Sequence, residues 1–67
     1  MTTVWLNAER REVAAGTTVA ALMDEHGVPA RGVAVAVDGS VLPRASWATV
    51  QLLEGTQVEV LTAVQGG

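Results

Sequence analysis

Gly66-Gly67 is the residue pair with the clearest chemical potential, and it stands behind the strand-like run Val58-Glu59-Val60-Leu61-Thr62. A carboxylate on Gly67 would sit on a stem without side chains, able to enter a narrow channel that a Cβ would block. Carboxylate carbon is a poor electrophile. An ATP-using partner could convert it to a mixed anhydride with AMP, which a sulfur nucleophile can attack to leave a thiocarboxylate. On the dipeptide alone, an accidental pair of small residues at a frayed end explains the sequence equally well.

Other reactive side chains are few. His26 is the one histidine, and neither a cysteine nor a second histidine is spaced to share a metal with it. At the end of an apolar helical stripe it reads as structural. Ser40 lies beside Asp38 in a turn and has no adjacent base to activate it. Arg44 is either a partner contact or an anchor for the Pro43 loop, and Trp47 reads as a lid over the core. No lysine is present, so an activated carboxyl group could not acylate a side-chain amine of its own chain. A bias toward Ala, Val, Gly and Arg accounts for that absence more simply.

The elements that would position the C-terminal pair can be read from pattern. Val4-Trp5-Leu6 and Arg10-Arg11-Glu12-Val13 form strands around a turn at Asn7-Ala8-Glu9. Gly16 interrupts them. Thr17 or Thr18 can cap a helix whose apolar face carries Val19, Leu22, Met23 and His26, with Gly27 as its left-handed end. Val33, Val35 and Val37 alternate with Ala34 and Ala36 in a strand, and Asp38-Gly39 is a strong hairpin signal. Val41-Leu42 makes a short strand stopped by Pro43. Ser46 to Thr49 reads as a single helical turn, and residues 58–62 as the last strand.

Composition narrows the class. Sixty-seven residues make one small domain, with no cysteine for disulfide or thiolate support, so burial must stabilise it. The core must be aliphatic, since the chain has twelve valines, two tryptophans and no phenylalanine or tyrosine. A net charge of −3 with four scattered arginines disfavours nucleic acid. No apolar run suggests a membrane span, and the expected location is cytoplasmic. A hairpin, a crossing helix and later strands predict an α+β fold with a mixed sheet of four to five strands and one main helix on one face. Fold analogy extends this to a β-grasp, ubiquitin-like arrangement with the first and last strands parallel at the centre. Residues 1–62 form the domain, and 63–67 form a flexible tail.

The sequence resembles the ThiS family of sulfur carriers. The resemblance rests on Ala34-Val35-Ala36-Val37-Asp38-Gly39, on Val41-Leu42-Pro43-Arg44 followed by Trp47-Ala48, on Leu53-Glu54-Gly55, and on the strand leading to Gly66-Gly67. Asn7 and Gly16-Thr17-Thr18-Val19 fit as well. One departure is Gly55-Thr56, where the family usually has Gly-Asp, and it bears on the hydrogen bonding of that turn.

The resemblance implies that Gly67 is adenylated by an E1-like (ThiF-like) adenylyltransferase using ATP, with Gly66 giving access. Sulfur would come from a cysteine desulfurase relay and pass to a ThiG-like thiazole synthase for thiamine biosynthesis. The chain would bind no cofactor or metal and would be a carrier, not an enzyme. Alternatives are a sulfur carrier for molybdopterin synthesis and a non-covalent ubiquitin-like adaptor.

Strand parity adds a docking expectation. With the valines toward the helix, Trp5, Ala34, Ala36 and Leu61 face the other way. If the first and last strands adjoin, Trp5 and Leu61 would be neighbours on an open apolar face suited to partners. The alternative is that Trp5 packs on Arg10 or Arg11 and recruits nothing.

Overall fold

The computed structural model describes residues 1–29 and 31–62. Strand β1 (Thr2–Leu6) and strand β2 (Glu9–Val13) form the first hairpin. Asn7 and Ala8 both have positive φ, 50° and 68°, as the two-residue type I′ turn requires. The turn is one residue shorter than the pattern predicts, because Glu9 already pairs with Leu6.

Helix α1 (Val19–Glu25) follows. Its N-cap is Thr18, whose hydroxyl accepts from the Ala21 N–H at 3.1 Å, while the Thr17 hydroxyl donates to the Ala14 carbonyl. The Val19 and Ala20 N–H groups donate to the carbonyls of Val50 and Trp47, which ties the helix start to the later loop. His26 is the C-cap, and Gly27 takes the left-handed conformation at φ 68°. Val19, Leu22 and Met23 are buried as the stripe predicts, but His26 is exposed. The helix ends before His26 can turn toward the core.

Strands β3 (Val33–Val37) and β4 (Ser40–Leu42) form a second hairpin, again through a two-residue turn, Asp38-Gly39, with both φ positive. A 3-10 turn covers Arg44–Ser46, and Trp47 caps it. It starts two residues earlier than expected, since Pro43 sets the backbone for helical entry directly behind it. Trp47 is buried, and its Nε1–H donates to the Leu42 carbonyl at 3.2 Å. It closes the core, as its reading as a lid requires.

Strand β5 (Gln57–Thr62) completes a five-stranded mixed sheet in the order β2-β1-β5-β3-β4. β5 is central, parallel to β1 and antiparallel to β3. Val4, Leu6, Val35 and Val58 are buried against Leu22 and Met23, with Val33, Val37 and Val60 packed at the margin. The parity expected for the valines holds throughout. No helix among the described residues is long and apolar enough to cross a membrane.

Candidate functional site

β5 leads to the C-terminal residues, and side chains from both hairpin turns hold it. Asp38 Oδ1 accepts from the Gln57 N–H at 2.9 Å on the β3 side. Asn7 Oδ1 accepts from the Val60 N–H at 2.8 Å on the β1 side, and the Asn7 N–H donates to the Val58 carbonyl. Each turn therefore contributes a short polar side chain that the φ-positive position tolerates and that also finishes a ladder. Pattern reading found the two turns but not this second use of Asn7 and Asp38.

The turn into β5 answers the Gly55-Thr56 departure. Gly55 has φ 84°, and its N–H donates to the Thr3 carbonyl at 2.7 Å. Thr56 is buried, and its hydroxyl accepts from the Leu53 N–H at 3.0 Å. A threonine oxygen can thus fill the acceptor position available to an aspartate. Glu54 Oε1 accepts from the Thr3 N–H, so the turn is bound to β1 as well. Hydrogen bonding there is intact.

The sheet face away from α1 carries the expected docking residues, with two corrections. Trp5 and Leu61 are not neighbours. The parallel register sets Trp5 beside Gln57, and Leu61 lies four residues further along β5, opposite Ala34. That is a separation of roughly 13 Å along the strand. Ala36 is buried, because its small side chain lies between Glu59 on β5 and Val41 on β4. Trp5 remains 38% exposed between Gln57 and Arg10, its direct partner across the hairpin. Leu61 is 54% exposed, and Ala34 is half-buried beside it.

Val41 belongs to the same face and is 69% exposed. The two-residue Asp38-Gly39 turn fixes its pairing with Ala36, so the hairpin register was the signal that could have found it. The face thus carries three apolar points, Trp5, Leu61 beside Ala34, and Val41 beside Ala36, with Glu59 on β5 between the first two. Arg10 and Glu12 pair at 2.9 Å on this side of β2, and Arg11 and Glu9 at 2.8 Å on the other. Such exposed pairs add little stability but keep the β2 edge charged.

Arg44 forms none of the ion pairs among the described residues, so the proposed anchoring to a carboxylate is not observed. It lines an open groove of about 370 Å³ with Asp24, floored by Met23, Val28 and Trp47. His26 is outside this groove, with Nε2 at 3.8 Å from Glu25 Oε1. The groove holds no nucleophile and no pair of groups that could exchange a proton with a substrate. Gly66, Gly67 and the rest of the expected tail, 63–67, lie outside the described residues.

The sequence model of the ThiS family matches residues 4–67. The chain belongs to the ThiS family. The crystal structure of the thiamine biosynthesis protein ThiS from Geobacter metallireducens superposes with a TM-score of 0.85 at 28% identity, covering 98% of this chain and all of that one. The solution structure of that bacterium's thiamine biosynthesis protein gives 0.78 at 28% identity, covering 98% and 88%. A curated relative, thiazole synthase of Paramagnetospirillum magneticum, is 37% identical over 62 residues. Those residues are 92% of this chain and 19% of that protein, so the chain spans about a fifth of its relative's length. The ThiS match confirms the β-grasp assignment and reaches through Gly66-Gly67.

Proposed function

We propose that this ThiS-family chain carries sulfur on the carboxyl group of Gly67 as a thiocarboxylate and donates it for thiazole formation. One observation carries the reading: the family match extends through the whole β-grasp domain to residue 67. An E1-like activating enzyme joins the Gly67 carboxylate to the α-phosphorus of ATP, and pyrophosphate leaves. A sulfur nucleophile at the sulfide level then attacks the acyl carbon and AMP leaves. A cysteine desulfurase relay delivers the sulfur as a persulfide, two thiols reduce it to the sulfide level and leave as a disulfide, and thiazole synthase consumes the resulting thiocarboxylate. A segment similar to this chain forms part of a protein named thiazole synthase, which supports that enzyme class as the acceptor. Gly66 lets the tail pass a constriction that a Cβ would close.

The outer sheet face docks the activating enzyme and the acceptor. Trp5, Ala34, Val41 and Leu61 supply the apolar contacts, with buried Ala36 beside Val41 between them.

Intact mass tests the carrier reading. The chain is incubated with ATP, its cognate activating enzyme and a sulfide-level sulfur source. A carrier gains the mass difference between sulfur and oxygen, and removal of Gly67 abolishes the gain. An unchanged mass in the complete reaction would leave an adaptor as the better account.

A further inference from the structure

The ladder between β1 and β5 stops before β5 does. Only Trp5–Gln57 and Leu6–Val58 pair, yet β5 runs on to Thr62. Beyond Leu6 the backbone turns away through the positive-φ residues Asn7 and Ala8. The Asn7 side chain replaces the next carbonyl of the ladder by accepting from the Val60 N–H. Alternation then fixes where the remaining groups point. Gln57 exchanges hydrogen bonds with Asp38 on the β3 side, and Val58 and Val60 bond toward β1. The Val60 carbonyl and the Thr62 N–H therefore also face the β1 side. Neither has a hydrogen-bond partner among the described residues. Leu61, between them in sequence, bonds toward β3 and exposes its side chain on the outer face.

We infer that this short open edge, the Val60 carbonyl and the Thr62 N–H, receives an extended segment of the activating enzyme as an added strand. The inference rests on the carrier reading given above. Five residues, 63–67, follow Thr62 and span ~17 Å when extended, and the ThiS match includes them all. A strand added at residues 60–62 fixes the direction in which those five residues enter the enzyme. A side-chain contact on Trp5 or Val41 would leave that direction loose. The incoming segment occupies the line that β1 vacates at Asn7, offering an N–H to Val60 and a carbonyl to Thr62, with an apolar side chain beside Leu61.

Proline at position 62 tests this directly. Thr62 opposes Val33 at a position where its N–H is directed away from β3, so Thr62→Pro deletes the outward donor without breaking a β3 hydrogen bond. Thr62→Ala keeps the donor and serves as the control. Binding of the full chain to its cognate activating enzyme is measured by calorimetry, with a melting curve for each variant. The expected result is unchanged melting, affinity near wild type for T62A, and about tenfold weaker binding for T62P.

If T62P does not fold, hydrogen exchange of wild type decides. The Thr62 amide should exchange at least tenfold more slowly in the complex than alone. Equal affinities of folded T62P and T62A, or no protection of Thr62 in the complex, would overturn the inference. So would protection that rises with the concentration of the free chain, which would assign the edge to a second copy. Failure of the mass gain in wild type strikes the carrier reading, whereas these outcomes strike the edge alone.

Discussion

The two faces of the sheet are built from the same strands by simple alternation, yet they do different work. Toward α1, Val4, Leu6, Val35 and Val58 are buried with Val19, Leu22 and Met23 in one continuous cluster. On the other side, Trp5, Val41 and Leu61 are exposed, Trp5 between Arg10 and Gln57, Val41 beside Ala36 and Leu61 beside Ala34. Stability in so small a domain must come from the first face, since no disulfide supports it. The second face contributes little to the core and is the one to which we assign docking. Substitutions should therefore separate cleanly into those that unfold and those that only uncouple.

The sharpest break is Leu22→Ala. Leu22 is fully buried in the cluster that also holds Val4, Leu6, Val35 and Val58. Its truncation should cost about 3 kcal/mol, a large share of the stability expected for a domain of this size. Urea unfolding followed by circular dichroism measures it. A loss below about 1 kcal/mol would mean the core can collapse around the gap and that the inner face is less decisive than argued.

Paired changes on the outer face should do the reverse. Trp5→Ser with Leu61→Ser removes apolar contact from two separate spots and should weaken binding to the activating enzyme tenfold or more, equivalent to about 1.4 kcal/mol. Melting should shift only slightly, because both side chains are already exposed. Unchanged affinity would assign Trp5 to packing on Arg10 alone. Each single variant also matters: with the spots roughly 13 Å apart, their effects should add.

Thr18→Ala probes the join between helix and loop. It deletes the acceptor for the Ala21 N–H and should cost about 1 kcal/mol in urea unfolding. Thr17→Ala should cost less, because Thr17 donates to a carbonyl outside the helix. If the two losses came out reversed, Thr17 would be the working cap.

Much of this division was legible from residue order. Val33, Val35 and Val37 alternating with Ala34 and Ala36 fixed both faces of β3, and Thr17-Thr18 before an apolar stripe fixed the helix start. What escaped was lateral register. Whether Trp5 lies beside Leu61 or beside Gln57 depends on how far β1 slides along β5, and the valine pattern permits any even shift. The Asn7 side chain sets that slide, through a contact that spans 53 residues of sequence. His26 escaped for another reason. Its spacing continues the stripe, but Gly27 ends the helix and turns it outward.

The smallest effect is expected at Ala8, where a local conflict is left in the fold. Both residues of the first hairpin turn have positive φ, yet the second is alanine. At the equivalent position of the second hairpin stands Gly39, which carries no such penalty. Left-handed backbone costs an alanine roughly 1–2 kcal/mol, while glycine gives back part of that gain through its freer unfolded chain. Ala8→Gly should thus stabilise by about 0.5 kcal/mol in urea unfolding. Because the Asn7 side chain is anchored on Val60, relaxing Ala8 should leave the β1–β5 register untouched, and outer-face affinity with it. A change in affinity without a change in stability would show that strain at Ala8 tilts β1 and positions Trp5, tying the two faces more closely than alternation alone requires.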